Sequence, residues 1–460
     1  MIIGVSSNLG RADAGSSALR LFLPSRERNL RLRVKRQIPN SMVRAGSLLA
    51  LLGVVLVSCE LSAAVPAATP ANLPDAGRSI AEIRMFDATN GWAWSNGVEN
   101  QYLLLRTTDG GQTWRDVTPR AFPYLEYGGW FLDPQTAWLS TLDRKTYSGG
   151  LLRTTDGGKS WSVLVKTGAA PFQCLKAAGS SCELLSASHA VARTVEFSTG
   201  SAYVRFFETH DSGTNWVPVI VASPIPDNSL PPGMIHLCNS CGGEVSYFPP
   251  SKVIITVGDL ADEKAKGVVR LSLSTNLGKL WREMELPVPD PYRDGLIVPL
   301  SPVFFGGTNG VLPAHIFKRI THSADASSYA YSVLAFYASD DGGITWTARP
   351  GIIELTSDRK EWSSFSHVDA VSFKDVFVRS GPNLYVTRDG ARSWRTIKPN
   401  IDFGVQGSNR DVLRMDFVDA YHGWIVIFDN RGFAPYGKFA LYKTSDGGST
   451  WAELPLRIVP

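Results

Sequence analysis

Acidic side chains recur along the chain in one short pattern, and they are the first groups that could do chemistry. The pattern Ser/Thr-x-Asp-x-Gly-x-x-Trp occurs seven times, with small departures. Its acidic and final positions are Asp109 and Trp114, Asp156 and Trp161, Asp211 and Trp216, Asn276 and Trp281, Asp341 and Trp346, Asp389 and Trp394, and Asp446 and Trp451. Six carboxylates beside hydroxyl groups could bind a metal or transfer protons, unless the backbone already uses them.

The local backbone explains every position of this pattern. The Asp carboxylate can accept hydrogen bonds from nearby main-chain N–H groups, and Gly supplies a positive φ. The Trp ring covers the hairpin and buries ~150–250 Å². A structural role is therefore predicted for all seven copies, with no catalytic residue, no metal and no cofactor. Asn276 can still form the turn, but its hydrogen bonds are not assisted by a charge, which predicts that its repeat is the loosest. In another repeat, Ala391 replaces one of the glycines.

Five cysteines are the second set of reactive groups, and four of them follow residue 60. An even number of cysteines in an exported protein predicts two disulfides, and the most local pairing joins Cys174 to Cys182 and Cys238 to Cys241. A zinc site made from the same four thiolates is the alternative, because Cys238 and Cys241 have the C-x-x-C ligand spacing. Histidines are few, and His210 and His422 are predicted to be solvated turn residues.

The fifth cysteine, Cys59, ends an apolar segment near the N-terminus. The apolar run 45–57 has 13 residues, too short for the ~20 that a membrane-spanning helix needs. With Arg44 before it and Ser58-Cys59 after it, the run resembles a bacterial lipoprotein signal, in which Cys59 is diacylated. The expected organisation is a basic extension or a start placed too early (1–41), a signal peptide (42–59), an Ala/Pro-rich linker (60–77) and a folded domain (78–460).

These features predict a protein of the bacterial cell envelope, lipid-anchored and facing the periplasm or the outside. Its only expected contact with the membrane is through the anchor. Residues 1–59 carry a net charge of +7 and the remainder −3. A body so close to neutrality gives no indication of nucleic-acid binding.

The spacing of the Asp pattern indicates the elements that position it. Successive copies lie 47 to 65 residues apart, close to the ~40–50 residues of a four-stranded propeller blade. We therefore predict an all-β, seven-bladed β-propeller with the Asp pattern between strands 3 and 4 of each blade. The two 65-residue intervals predict insertions in blades 4 and 5. The last blade is expected to end with its own strand over 452–459, without a swapped closing strand.

A weaker signature, a Phe and a polar turn ending before Trp, marks strands 1 and 2. It occurs at Phe86–Trp92, Phe131–Trp138 and Phe417–Trp424, with looser forms at Phe304–Val311 and Phe248–Ile254. Asp87, Asp133, Asp369 and Asp419 lie near these predicted inner strands. Paired carboxylates across the channel could hydrolyse glycosides, whereas the structural alternative is that they are turn residues.

The repeated pattern resembles the Asp-box, or BNR, repeats of sialidases, family-74 xyloglucanases, sortilin-type receptors and the photosystem II assembly/stability factor family. The order of a Phe/Asp turn, Gly-Trp and a Thr-x-Asp-Gly-Gly-x-x-Trp box is most similar to the last of these. The resemblance covers residues 78–460 and implies a propeller, but it does not fix an activity. The sialidase Arg-Ile-Pro motif is missing from the sequence.

Two functions follow as hypotheses. The first is a non-catalytic, monomeric scaffold that binds an envelope protein or a glycan, as the resemblance to an assembly factor implies. Its candidate surface is three long inserts, 224–243, 290–300 and 314–329, because propeller loops commonly carry binding sites. The second is a glycoside hydrolase with carboxylates at the channel mouth.

Overall fold

The computed structural model describes most of the predicted folded domain. It describes residues 64–66 and 78–459, except 97–101, 120–124, 144–147, 167–180, 199–200, 224–232, 234, 239–243, 258–267, 324–325, 356–366, 405–408 and 431–437. Strands and turns account for the regular structure of these residues, and no helix able to cross a membrane is found among them. The proposed signal, Cys59, Cys174 and Cys241 lie outside the described residues.

Seven antiparallel sheets follow one another along the chain as the seven predicted blades. Alternating apolar residues favour strands, and turn residues end them. Blade 1 comprises β2 (Ser79–Met85), β3 (Gly91–Asn96), β4 (Leu103–Thr107) and β5 (Trp114–Asp116); blade 2 comprises β6 (Leu125–Phe131), β7 (Ala137–Asp143), β8 (Ser148–Thr154) and β9 (Ser160–Lys166); blade 3 comprises β10 (Ser181–Leu184), β11 (Ala190–Ser198), β12 (Ser201–Thr209), β13 (Val217–Val219) and β14 (Ile235–Cys238).

The remaining blades repeat this order. Blade 4 comprises β15 (Glu244–Phe248), β16 (Lys252–Val257), β17 (Val268–Ser274) and β18 (Arg282–Pro287); blade 5 comprises β19 (Leu296–Pro299), β20 (Val303–Phe305), β21 (Asn309–Ser323), β22 (Ala326–Ser339), β23 (Thr347–Ala348) and β24 (Ile353–Glu354); blade 6 comprises β25 (His367–Ala370), β26 (Val376–Ser380), β27 (Asn383–Thr387) and β28 (Arg395–Ile397); blade 7 comprises β29 (Arg410–Phe417), β30 (Gly423–Asp429), β31 (Lys438–Thr444) and β32 (Ala452–Leu454).

Apolar side chains between neighbouring sheets form the core. Trp92, Leu104, Leu139 and Trp161 pack together where blades 1 and 2 meet. Trp114 and Trp424 join one cluster where blade 7 meets blade 1, and the Trp424 indole donates to the Gly110 carbonyl across that boundary at 3.0 Å. An isolated blade would leave these faces exposed, so the ring gives every sheet a partner on both sides.

The C-terminus corrects the prediction for strand 4 of the last blade. That strand, β32, ends at Leu454, and Ile458–Val459 form β33, which pairs in parallel with β5 of blade 1. Pro455 follows β32 directly and has no N–H to continue the ladder. The chain therefore crosses to blade 1, and a short closing strand exists where none was expected.

All three predicted inserts contain strands rather than loops alone. Residues 314–329 lie in the long hairpin of β21 and β22, and β19 occupies residues 296–299 of the second insert. In the first insert, β14 pairs with β12 and so extends blade 3. Within the predicted linker, β1 (Ala64–Pro66) pairs with β9 at the outer edge of blade 2.

Candidate functional site

In the Asp boxes, the repeated acidic side chain is hydrogen-bonded within its own turn. In the first box, Asp109 Oδ1 accepts hydrogen bonds from the Thr107 hydroxyl at 2.8 Å and the Thr113 amide at 2.9 Å. Its Oδ2 accepts a hydrogen bond from the Thr113 hydroxyl at 2.5 Å. The Thr107 hydroxyl oxygen in turn accepts a hydrogen bond from the Gly111 amide at 2.9 Å. Both carboxylate oxygens therefore serve their own turn, as the sequence predicts.

The other five Asp boxes repeat this network with their own residues. Asp156, Asp211, Asp341, Asp389 and Asp446 each accept bonds from a preceding Ser or Thr and from the residue four positions later. Burial alone would raise the pKa of Asp341 and of Asp389, but these hydrogen bonds lower it to about 2. Carboxylates that are ionised and fully engaged in this way are poor proton donors and poor metal ligands.

The boxes share a backbone conformation that favours glycine. Each box has two consecutive residues with positive φ, and Gly fills both positions in four boxes. Ser212, Leu277 and Ala391 are the non-glycine residues with positive φ among the described residues, at 66°, 56° and 62°. These three residues destabilise their boxes by backbone strain, which the four double-glycine boxes avoid.

The Asn276 box lacks one contact that the other six boxes have. Asn276 Oδ1 accepts hydrogen bonds from Ser274 Oγ at 3.0 Å and from the Leu280 amide at 2.9 Å. The residue four positions after the acidic position is a Thr, Ser or Asn elsewhere and donates from its side chain to Oδ2. Leu280 has no such donor, so this box has both a weaker acceptor and one hydrogen bond fewer.

Three of the four carboxylates considered for glycoside hydrolysis lie in turns between strands 1 and 2. Asp87 accepts hydrogen bonds from the Thr89 and Asn90 amides, both at 2.7 Å. Asp133 and Asp419 make the equivalent pairs of bonds to the two amides that follow. The prediction that these are turn residues is therefore correct.

Asp369 is different, because it lies in a strand and reaches the next blade. Its Oδ2 accepts the Phe417 amide at 2.6 Å. At the equivalent position of blade 7, Asp416 accepts the Met85 amide of blade 1 at 2.5 Å and Arg84 Nη1 at 3.2 Å. These carboxylates cap N–H groups on the inner edge strand of the following blade. The interpretation of Asp369 as a turn residue is wrong, since its role depends on contact between blades.

Burial makes this pair of carboxyl groups unusual. Desolvation, reinforced by the charge of Asp416, raises the pKa of Asp369 to about 7. Desolvation likewise raises the pKa of Asp416, while Arg84 acts in the opposite direction. Asp369 can therefore hold a proton at neutral pH, the state that a general acid needs. Both groups are nevertheless covered and bonded to main-chain amides.

A second polar contact joins blades 6 and 7. The buried Arg379 side chain lies 3.0 Å from Asp411 and donates to the Gly404 carbonyl at 3.0 Å. His367 Nε2 lies 3.3 Å from the Leu413 carbonyl oxygen, and burial lowers the pKa of His367 to about 4. A neutral His and a paired Arg in this position stabilise the interface between the two blades.

Blade 5 has a long β21–β22 hairpin, and its outer part, residues 318–331, is called the arm. The other strands of blade 5 pair with β21 only up to Phe317 and with β22 only from Ser332 onward. Beyond these residues, the described parts of β21 and β22 pair with each other. The arm follows strand 2 of its blade, whereas each Asp box follows strand 3. The antiparallel order therefore places the arm at the opposite ends of the strands from the boxes.

The second insert braces the base of the arm. Asp294 forms an ion pair with Lys318 and accepts a hydrogen bond from the Tyr331 hydroxyl. The Tyr292 and Tyr331 rings meet edge to face, with centroids 5.1 Å apart. The structure thus brings two of the three predicted inserts together. Sequence reasoning identified both segments, but it did not predict that they form one surface.

The remaining predicted site residues lie apart from this surface. His422 Nδ1 is 2.8 Å from Asp419 Oδ2 within its own turn. His210 lies in the third box and its ring stacks on His189. Cys182 and Cys238 lie in β10 and β14, which pair with different strands of blade 3. Disulfide pairing and the alternative zinc site stay predictions.

Comparison with known proteins agrees with this architecture. The BNR/Asp-box repeat profile matches residues 337–348, which form the box of blade 5. The matched segment is one of the seven Asp boxes. The family profile and the seven sheets together make the chain an Asp-box propeller, and no curated protein matches its sequence at a significant level.

Solved structures similar to this Asp-box propeller have low sequence identity. YCF48 from Cyanidioschyzon merolae is 16% identical, with 84% of this chain and 98% of that chain covered and a TM-score of 0.35. An α-L-arabinofuranosidase from Fusarium graminearum is 13% identical, with 72% and 94% covered and a TM-score of 0.38. A xyloglucanase from Xanthomonas campestris is 15% identical, with 80% of this chain but 59% of that chain covered and a TM-score of 0.34.

Proposed function

We propose that this Asp-box propeller is a non-catalytic, lipid-anchored scaffold that binds a protein of the bacterial envelope through its arm. The arm is the observation that supports this proposal. Two strands that leave a sheet present N–H and C=O groups along their outer edges, and an extended segment of a partner can pair with such an edge. The propeller would supply the rigid base, and Asp294 would fix the direction of the arm through Lys318 and Tyr331.

The use of the carboxylates also supports a binding role. The six box Asp residues and three of the inner Asp residues are bonded to their own turns. A retaining or inverting glycosidase needs two carboxyl groups about 5–10 Å apart on either side of an accessible bond. Carboxyl groups that cap backbone amides are not free to approach a sugar.

The test is capture of a partner from detergent-solubilised envelope by the full chain and by an arm-trimmed variant. In this variant Asn-Gly replaces residues 319–330, because a two-residue turn can connect Lys318 to Tyr331. The proposal predicts that a partner enriched by the full chain is lost on trimming. His422→Ala, at the opposite ends of the strands, is the matched control and should retain the partner. Retention after trimming would contradict the proposal.

Glycoside hydrolysis is the second candidate, and one observation favours it. The pKa of Asp369 is raised to about 7, and Asp416 is the charged neighbour that contributes to the shift. We infer that any hydrolytic activity would depend on this pair. Release of reducing ends from a panel of plant and bacterial glycans, abolished by Asp369→Asn, would support this function. No release from any glycan by the folded full chain would reject it.

A further inference from the structure

Blade 3 places three ligand-type side chains together beside its Asp box. His189 Nε2 lies 2.5 Å from Glu208 Oε1, and His210 Nε2 lies 3.5 Å from the same oxygen. One ligand atom from each of these residues lies within 4.8 Å of the other two. The His189 and His210 rings are stacked, with centroids 4.2 Å apart and an interplanar angle of 28°.

The register of the sheet fixes this arrangement. Ala190 pairs with Thr209 and Val191 with Glu208, so His189 lies opposite His210 at the end of the same ladder. Glu208 and His210 are two residues apart and therefore share one face of the strand. The Ser212 amide also donates to the Ser188 carbonyl at 2.9 Å. Both histidines thus lie in backbone segments that are bonded to each other.

The other blades show that this combination is not a requirement of the fold. The three equivalent positions, assigned from the strand registers, are Asn90, Arg106 and Thr108 in blade 1; Thr136, Arg153 and Thr155 in blade 2; Lys252, Leu273 and Thr275 in blade 4; Asn309, Ala338 and Asp340 in blade 5; Asp375, Val386 and Arg388 in blade 6; and His422, Lys443 and Ser445 in blade 7. Blade 3 alone among the seven has metal-ligating types at all three positions.

Comparison with blade 7 shows why the His189 ring contacts Glu208 rather than a residue of its own turn. Its His422 occupies the position of His189, but Asp419 three residues earlier binds the ring. In blade 3 the turn residue at that position is Ser186, which accepts the His189 main-chain amide at 3.0 Å. A Ser caps the turn without binding the imidazole, so the His189 ring is directed to Glu208.

A residue of the next blade orients the carboxylate. The Tyr247 hydroxyl of blade 4 lies 3.3 Å from Glu208 Oε2 and 3.1 Å from the Pro250 carbonyl oxygen, so its one proton is shared between these two acceptors. This contact leaves Oε1 toward the two histidines. A hydroxyl behind a ligating carboxylate is a common second layer of metal sites, where such groups fix the ligand orientation.

We propose that His189, Glu208 and His210 form a zinc-binding site. Two imidazoles and one carboxylate are a frequent zinc ligand set, and a site with three protein ligands keeps a fourth position for water or for a donor from another molecule. The carboxylate offsets one of the two charges of a zinc ion, and the two imidazole nitrogens complete the set of three protein ligands.

The test is a titration of the purified full chain with zinc chloride against a chromophoric zinc indicator. Free thiols are alkylated first, so that no cysteine can contribute a ligand. The expected result is one zinc ion per chain, with an affinity at least tenfold lower in His210→Ala. His210 is 70% exposed, so this variant should fold, and an unchanged melting temperature without zinc verifies that it does.

Matched variants separate ligation from a general surface effect. His422→Ala removes the equivalent histidine of blade 7 and should leave zinc binding unchanged, whereas Glu208→Gln should weaken it as His210→Ala does. Anomalous scattering at the zinc edge should place the ion between the three residues. Zinc binding equally tight in wild type and His210→Ala, or no binding by the wild-type chain, would overturn the proposal.

Discussion

Asp369 and the box Asp residues have the same side chain but opposite pKa shifts, and the cause lies in their surroundings. At Asp341, desolvation is the largest single effect, but several hydrogen bonds together outweigh it, and the pKa is about 2. At Asp369, desolvation and the neighbouring Asp416 outweigh one backbone hydrogen bond, and the pKa is about 7. The sequence predicts the first case because all partners lie within a few residues. It cannot predict the second, because both the burial and the partner come from another blade.

The raised pKa of Asp369 predicts a specific pH dependence of stability. The folded state holds this proton more tightly than the unfolded state, so the free energy of unfolding should fall as the pH rises from about 4 to about 7. Asp369→Asn keeps an acceptor for the Phe417 amide and should make this fall smaller. Urea unfolding from pH 3 to pH 8 measures it.

The matched control is Asp87→Asn on an inner turn. The pKa of Asp87 is about 2, because hydrogen bonds from Thr89 and Asn90 outweigh desolvation. Its carboxylate therefore stabilises the folded state above its unfolded pKa, and this contribution is lost as the pH falls toward 2. Asp87→Asn should alter only the acid side of the profile. An unchanged slope between pH 4 and pH 7 in Asp369→Asn would show that the assigned burial is wrong.

The Asn276 box offers a gain of stability. Asn276→Asp with Leu280→Thr should restore both the charged acceptor and the missing donor, because Thr occupies that position in several other boxes. A new charge-assisted hydrogen bond is worth about 1.5–3 kcal/mol at most in a buried setting, so we expect about 0.5–1 kcal/mol at this exposed one. The effect is measured by urea unfolding and by hydrogen exchange at the backbone amide of position 280.

A double-mutant cycle gives this prediction its control. Leu280 is 72% exposed, so Leu280→Thr alone should change the stability little. The two substitutions together should exceed the sum of the single effects. Purely additive effects would mean that the Asp and Thr side chains do not meet as they do in the other boxes.

At the scale of elements, the blades could be predicted and the arm could not. The Asp boxes fix strands 3 and 4 of each blade, and the Phe-turn-Trp signature fixes strands 1 and 2. Residues 314–329 contain neither signal and were expected to be a loop. Val311–Phe317 and Val333–Ala338 continue into the arm as strands because each pairs with the other, and this pairing depends on the register set by blade 5.

The arm should contribute little to the stability of the propeller. Its described strands pair with each other, and Lys318 and Tyr331 at its base contact Asp294 and Tyr292 of the second insert. Replacement of residues 319–330 by Asn-Gly is therefore expected to change the free energy of unfolding by no more than about 0.5 kcal/mol, as for most surface changes. Urea unfolding measures it, and a large loss would mean that the arm is part of the folded core.

Asp294→Ala separates the base of the arm from its length. This substitution removes the contacts to Lys318 and Tyr331 but leaves the hairpin intact. Partner capture should be weakened and the stability kept. If Asp294→Ala and the trimmed variant both unfold, the arm cannot be treated as a separate binding element.

At the scale of the whole molecule, closure of the ring depends on the last residues of the chain. The Trp114 amide donates to the Arg457 carbonyl at 2.8 Å, and β33 then pairs with β5. Seven repeats predict a closed ring from sequence alone. The crossing of the C-terminus could not be predicted, because a two-residue strand has no periodicity and its partner lies more than three hundred residues away.

Truncation after Leu456 tests this closure. It leaves the buried Trp114 amide without its acceptor, and an unsatisfied buried donor costs about 1–3 kcal/mol. We expect a loss of that size in the free energy of unfolding. Removal of Pro460 alone is the control and should have no effect, whereas full stability after truncation at Leu456 would show that the ring closes without β33.

The central claim is that the propeller acts through its arm and uses its carboxylates for structure. The most direct measurement is the dissociation constant of one captured envelope partner, purified, for the wild-type chain and for the arm-trimmed variant. The account predicts that trimming raises this constant at least a hundredfold, while Asp369→Asn leaves it unchanged. Equal constants for wild type and the trimmed variant, together with a loss of binding in Asp369→Asn, would contradict it.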